Sequence, residues 1–63
     1  MFDQVMAFAE SEISHWELIH GSPFCRDTFM DRVVCYARIT IPYSFDYDEV
    51  FKKVIDPILS RAN

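Results

Sequence analysis

The run from Asp31 to Ile41 constrains the fold more than any other segment, because apolar and polar side chains alternate along it. The residues that would share the inner face of a strand are Val33, Cys35, Ala37, Ile39 and Ile41. The residues that would share the outer face are Arg32, Val34, Tyr36, Arg38 and Thr40. Alternation combined with β-branched and aromatic side chains is typical of a strand. We therefore predict a strand over 31–41.

The same run also fits a helix. At about 100° per residue, a different apolar set gathers on one side: Phe29, Met30, Val33, Val34, Ala37 and Ile41. Thr28 and Asp31 would then form a capping box at its start. Because β-branched and aromatic residues lose rotamer freedom in helices, the strand is the preferred interpretation.

An N-terminal helix is predicted from about Phe2 to about Ile19. Its apolar face consists of Phe2, Val5, Met6, Ala9, Ile13, Trp16 and His20. Gly21 is suited to end this helix, and Pro23 prevents its continuation. A shorter helix followed by a strand over 14–20 is an alternative. Residues 22–30 fit either a connecting loop or a short strand.

The strongest helix signal lies near the C-terminus. Asp46 is a good N-cap, and Glu49 stands three residues later, as a capping box requires. Pro57 removes one backbone donor, so we expect a kink after Ile55 or a separate last turn. The acidic residues at 46–49 therefore have a structural explanation and do not by themselves indicate a metal site.

These elements predict an α+β fold in a single compact domain, 1–63. An N-terminal helix would be followed by a central strand or hairpin and a capped C-terminal helix. The alternative is an all-α three-helix bundle. A lone strand leaves backbone groups unpaired, so its partner would be 14–20, 22–30 or the same strand of a second copy.

The aromatic content points to a partner. Six phenylalanines, three tyrosines and one tryptophan stand in only 63 residues. A chain of this length buries about 60% of its unfolded surface, so a single core can hardly cover them all. We expect some of them at an interface with a second copy or with another protein.

Charge and hydropathy argue against several functional classes. A net charge of −4 opposes binding to nucleic-acid phosphates and to anionic membranes. No apolar stretch reaches the roughly 18 residues of a membrane span, and Asp3 and Glu10 are out of place in a signal peptide. A cytoplasmic location is expected, with both cysteines reduced.

The residues with most chemical potential are His15, His20, Cys25 and Cys35. Their spacing does not match the paired ligands of zinc sites. His20 and Cys25 could form a nucleophilic pair, but no oxyanion-hole motif accompanies them, and the single glycine excludes a glycine-rich phosphate loop. We expect no catalytic residue, no metal and no cofactor.

The function expected from these arguments is that of a non-catalytic protein-binding module: an inhibitor, an adaptor or a small subunit acting on a larger protein. Arginine and tyrosine are enriched at interface hot spots. The predicted contact residues are Arg32, Tyr36, Arg38, Thr40, Trp16 and Tyr43. One alternative is a dimeric nucleic-acid-binding regulator that uses the Arg32–Arg38 face. Another is a small thiol or metal-site protein.

Overall fold

A computed structural model describes the backbone of residues 2–62 and the side chains of 2–61, so Met1 and Asn63 of the predicted domain lie outside it. The elements are α1 (Phe2–Ser14), α2 (Trp16–His20), α3 (Arg26–Thr40), α4 (Tyr47–Val50), a π-helical turn (Phe51–Ile55) and α5 (Asp56–Ala62). The last three are continuous and are called the C-terminal helix. None of the helices in 2–62 is long and apolar enough to cross a membrane.

The predicted α+β fold is wrong, because residues 2–62 contain no strand and the run 31–41 lies mostly in α3. Val33, Ala37 and Ile41 belong to both candidate patterns, because residues four apart share one face of a strand and also nearly share one face of a helix. The residues that distinguish the patterns favour the helix: Phe29 is fully buried, whereas Ile39 is 80% exposed. A helical fold, the alternative expectation, fits.

Backbone hydrogen bonding explains why propensity failed in this run. A strand at 31–41 would need a partner strand, whereas a helix satisfies its amide and carbonyl groups internally. Helix α3 also brings Phe29, Val33 and Ala37 into the core. Burial of these side chains outweighs the small helix penalty of β-branched and aromatic residues.

The N-terminal helix is interrupted once. Helix α1 ends at Ser14, the chain bends at His15, and α2 continues to His20. The proposed strand over 14–20 is therefore wrong. Gly21 ends α2 in the left-handed conformation (φ 67°), and its N–H donates to the Glu17 carbonyl. Helix α3 already begins at Arg26, so only the first part of 22–30 is loop.

The start of the C-terminal helix is confirmed. Asp46 Oδ1 accepts hydrogen bonds from the backbone N–H groups of Asp48 (2.9 Å) and Glu49 (3.3 Å). Pro57 was expected to kink the helix after Ile55 or to split off a last turn, and α5 does begin as a separate segment at Asp56, directly after a π-helical turn. The N–H of Asp56 donates to the Phe51 carbonyl five residues earlier, and the helix widens into a π-helical turn just before the proline.

Contacts define a bundle of α1, α3 and the C-terminal helix. Phe8 stacks on Tyr36 and Glu12 pairs with Arg32, so α1 and α3 are antiparallel. Lys53 lies over the Phe2 ring and Arg61 pairs with Glu10, so α1 and the C-terminal helix are parallel. The core consists of Val5, Ala9, Trp16, Phe29, Val33, Ala37, Ile41, Val50, Val54, Ile55 and Ile58.

Candidate functional site

Trp16 anchors the corner where α2 turns into the loop before α3. Its ring is buried, and its indole Nε1 donates a hydrogen bond to the Pro23 carbonyl at 3.1 Å. The left-handed Gly21 lets the chain reverse direction within this short loop. The hydrogen bond ties the returning loop to α2, so the corner has a fixed shape.

An aromatic cluster surrounds the Trp16 ring. The rings of Phe24 and Phe29 lie edge-on to it, with centroids 5.1 Å and 6.4 Å away. His20 packs against it at 4.0 Å with the two ring planes tilted by 37°. Edge-to-face aromatic pairs add about 0.5–1.5 kcal/mol beyond the area they bury. These contacts therefore hold the Trp16 ring in a fixed position beneath the exposed surface of the corner.

A depression of about 400 Å³ opens over this corner. Its lining consists of Ile13, Ser14, His15, Trp16, Glu17, Leu18 and Phe24, and we call it the Trp16 depression. Leu18 on its rim is 85% exposed, and Phe24 is 42% exposed. Large apolar side chains are thus presented to solvent next to an aromatic floor.

A polar cluster centred on the buried carboxylate of Glu12 lies close to the same corner. Glu12 is only 4% exposed, and its Oε1 accepts a hydrogen bond from Arg32 Nε of α3. His20 Nε2 of α2 lies 3.6 Å from the same oxygen and has no hydrogen-bond partner. The cluster links α1, α2 and α3. Because Glu12 is enclosed and paired, its geometry suits a structural role that connects the three helices, and it does not suit a catalytic acid or base.

Glu12 was not among the predicted site residues, although the sequence carries a signal for its burial. Val5, Ala9 and Glu12 are spaced four and three residues apart, which places all three on one face of a helix. A charged residue at a position of this kind is rarely buried unless it is paired. Its partner, Arg32, could not be identified because 31–41 was interpreted as a strand.

The predicted outer face is only partly kept in α3, because Arg32, Tyr36 and Thr40 follow one another at four-residue spacing on one side of the helix, whereas Arg38 leaves that side. Arg32 and Arg38 lie six residues apart on α3, which places them about 120° apart around the helix. Arg32 is engaged by Glu12, and Arg38 lies over the Phe45 ring at 5.6 Å. Tyr36 is half-buried in its stack with Phe8, with centroids 4.2 Å apart.

The remaining predicted contact residues lie apart from one another. Thr40 is half-buried at the end of α3, and Tyr43 is fully exposed in the turn that follows. Trp16 lies at the other end of α3, where it contacts Phe29. The predicted contact residues therefore form no single surface, and only Trp16 belongs to the depression.

The cysteines and histidines do not assemble into a metal site. Between residues 2 and 61, no three His, Cys, Asp or Glu side chains lie close enough to hold an ion. Cys25 and Cys35 are free and exposed; Cys25 is the N-cap of α3, and Cys35 lies ten residues further on, within that helix.

The acidity of the Cys25 thiol is altered by its neighbour Thr28. Hydrogen bonding by Thr28 lowers the pKa of Cys25, and the Thr28 side chain contributes more than the Thr28 backbone. The geometry of Cys25 Sγ falls short of a capping hydrogen bond. The thiolate is therefore favoured at the start of α3.

Comparisons with known proteins supply no relative from which a role could be transferred. No protein-family model, curated protein or solved structure matches this chain. Among the described residues, the Trp16 depression combines an open volume, exposed apolar side chains and a fixed aromatic base.

Proposed function

We propose that this chain is a non-catalytic protein-binding module, and that the Trp16 depression receives an apolar side chain of another protein. The observation that carries the proposal is the exposure of Leu18 (85%) and Phe24 (42%) beside the buried Trp16 ring. Contiguous exposed apolar surface marks interaction sites more often than isolated exposed residues do.

The shape of the depression supports a protein ligand. Small-molecule sites enclose most of their ligand, whereas here Leu18 on the rim is almost entirely open to solvent. The polar side chains of His15 and Glu17 lie beside the apolar centre. Apolar side chains bordered by polar ones are common in protein–protein interfaces.

The fixed geometry of the corner supports specific binding. The Trp16–Pro23 hydrogen bond and the contacts of Trp16 with Phe24 and Phe29 hold the floor in place before any partner arrives. A preordered surface loses less conformational entropy on association. Aromatic anchors of this kind carry much of the energy of interfaces.

The proposed role is stoichiometric. A bundle of this size would act as an inhibitor, an adaptor or a small subunit of a larger protein, in the cytoplasm. Two exposed free cysteines fit a reducing compartment. The nucleic-acid alternative is not adopted, since α3 does not present Arg32 and Arg38 together and the chain carries a net charge of −4.

The proposal is tested by quantitative co-purification from cells of the native host. The tagged wild-type chain is compared with a Leu18→Ser/Phe24→Ser variant, and recovered proteins are quantified by mass spectrometry. We expect at least one protein to be recovered in stoichiometric amount with the wild type and to fall about tenfold with the variant, as removal of hot-spot side chains predicts.

The matched control is Ile39→Ser/Tyr43→Ser, which removes two exposed apolar side chains at the other end of α3. It should retain the partner. Equal recovery with all three chains, or loss only with the control variant, contradicts the proposal. Sedimentation of the purified chain detects self-association, and a dimer broken by Leu18→Ser would assign the depression to a second copy instead.

A further inference from the structure

A second surface, between α3 and α4, has a different chemical character from the Trp16 depression. It is a groove of about 250 Å³ lined by Asp27, Met30, Asp31, Val34 and Tyr47. The four α3 residues share one side of that helix, because the spacings of three and four residues repeat its turn. We call this surface the α3–α4 groove.

The floor of the α3–α4 groove is apolar. Met30 and Val34 pack against the core and remain partly accessible. Tyr47, from the first turn of α4, is 49% exposed. An apolar side chain of a partner could therefore be covered on two sides by this groove.

The charge of the groove is one-sided. Asp27 and Asp31 are exposed carboxylates at positions i and i+4 of α3. Like charges at this spacing destabilise a helix. The three arginine and lysine ion pairs formed among residues 2–61 use Glu10, Glu12 and Glu49, and His20 also lies beside Glu12, so neither aspartate has a basic partner within this part of the chain.

Most of the lysine and arginine side chains make contacts outside the α3–α4 groove. Arg32 pairs with Glu12, Arg61 with Glu10 and Lys53 with Glu49. Arg38 lies over Phe45, and Arg26 lines a different depression together with Asp56. Asp27 lies in the first turn of α3, where the helix dipole favours a negative charge, whereas Asp31 lies beyond that turn and has no basic partner among residues 2–61.

We propose that the α3–α4 groove binds a basic segment of a partner protein. A lysine or arginine of that segment would lie between the carboxylates of Asp27 and Asp31. A neighbouring apolar side chain would pack on Met30, Val34 and Tyr47. The charge is complementary, and a cation placed there relieves the repulsion between the two aspartates. This inference goes beyond the Trp16 depression and does not depend on it.

The test is an NMR titration of the isotopically labelled chain with a short helical peptide made of leucine and lysine. We expect the largest amide shifts at residues 27–34 and 47, and weaker binding at higher salt. The Asp27→Asn/Asp31→Asn variant should bind the peptide about tenfold more weakly, since two charge pairs are lost. Asp31→Asn alone, beyond the first turn of α3, should give an intermediate loss.

The matched control is Asp3→Asn/Asp56→Asn, which makes the same change in net charge outside the groove and should bind as the wild type does. A peptide of leucine and glutamate should not bind. Equal binding by both aspartate variants, or shifts centred on the Trp16 depression, would overturn the proposal. Calcium chloride and spermine are titrated in parallel. Shifts at Asp27 and Asp31 with these cations but not with the peptide would assign the groove to small cations and also overturn it.

Discussion

The indole N–H of Trp16 donates to the carbonyl oxygen of Pro23 over 3.1 Å, and this bond joins α2 to the loop that leads into α3. The two residues lie on either side of Gly21, whose left-handed backbone makes the reversal possible. Phe24 follows Pro23 directly and meets the Trp16 ring edge-on. The bond therefore sets the positions of both the floor and the rim of the Trp16 depression.

Removing the indole donor should loosen this corner. Trp16→Phe keeps an aromatic ring but leaves the Pro23 carbonyl without its protein partner, and we expect a loss of about 1–2 kcal/mol in the free energy of unfolding. Urea denaturation followed by far-ultraviolet circular dichroism measures it. Tyr36→Phe, which keeps the ring stacked on Phe8, is the control and should change stability by less than about 0.5 kcal/mol.

The two arginine–glutamate pairs of α1 should differ in energy. Arg32→Ala leaves the buried Glu12 carboxylate without its main partner, and we expect a loss of about 2–3 kcal/mol, given that Arg32 itself is partly exposed. Arg61→Ala breaks an exposed pair with Glu10 and should lose less than about 1 kcal/mol. Equal losses in urea denaturation would show that Glu12 is hydrated rather than enclosed.

Substitutions within 31–41 can distinguish a helix from a strand in this segment. On a strand, Val33 and Ile39 would face the same side, whereas α3 buries Val33 completely and exposes Ile39. Val33→Asp should abolish cooperative unfolding, because it places an unpaired carboxylate in the core. Ile39→Asp should cost less than about 1 kcal/mol. A cooperative transition lost in both variants would favour the strand.

Two helix termini could be predicted from the sequence, whereas the structure of 31–41 could not. The capped start at Asp46 and the end of α2 at Gly21 were predictable, because local capping chemistry determines them. The structure of 31–41 was not, because Val33, Ala37 and Ile41 satisfy both periods. The choice depends on which residues the other two helices cover, and this is information that the local sequence lacks.

The Trp16 depression was predictable only in part. Trp16 was expected at an interface, but the structure makes it the floor, while Leu18 and Phe24 form the exposed surface. Their exposure results from the bend at His15 and the tight loop after Gly21. The Arg32–Arg38 face was expected because 31–41 was interpreted as a strand, whereas this segment lies mostly in helix α3.

Cys25 should react with iodoacetamide faster than Cys35 near neutral pH. Both thiols are exposed, but Thr28 lowers the pKa of Cys25 below its ordinary value. Thr28→Val should slow the reaction at Cys25, and urea should abolish the difference between the two sites. Mass spectrometry of the alkylated peptides measures both rates. Faster alkylation of Cys35 in the folded chain would contradict the assignment.

The same pKa shift gives the sign of a small pH effect on stability. A thiol whose pKa is lowered by folding stabilises the folded state above its unfolded pKa, and this contribution disappears as the pH falls through the lowered value. Cys25→Ser should therefore reduce the rise in stability toward alkaline pH and leave stability near pH 6 unchanged. Urea denaturation at several pH values measures this dependence. An unchanged alkaline slope in Cys25→Ser would assign the rise to another group.

In-cell photo-crosslinking tests the docking role of the Trp16 depression most directly. A photoreactive phenylalanine is placed at position 18 or 24 and, in control chains, at 39, 43 or 52, in cells of the native host. We expect positions 18 and 24 to give one shared adduct with another protein and the control positions to give much less of it. An adduct formed equally from all five positions, or only from 39 and 43, would contradict the assignment of the Trp16 depression as the docking surface.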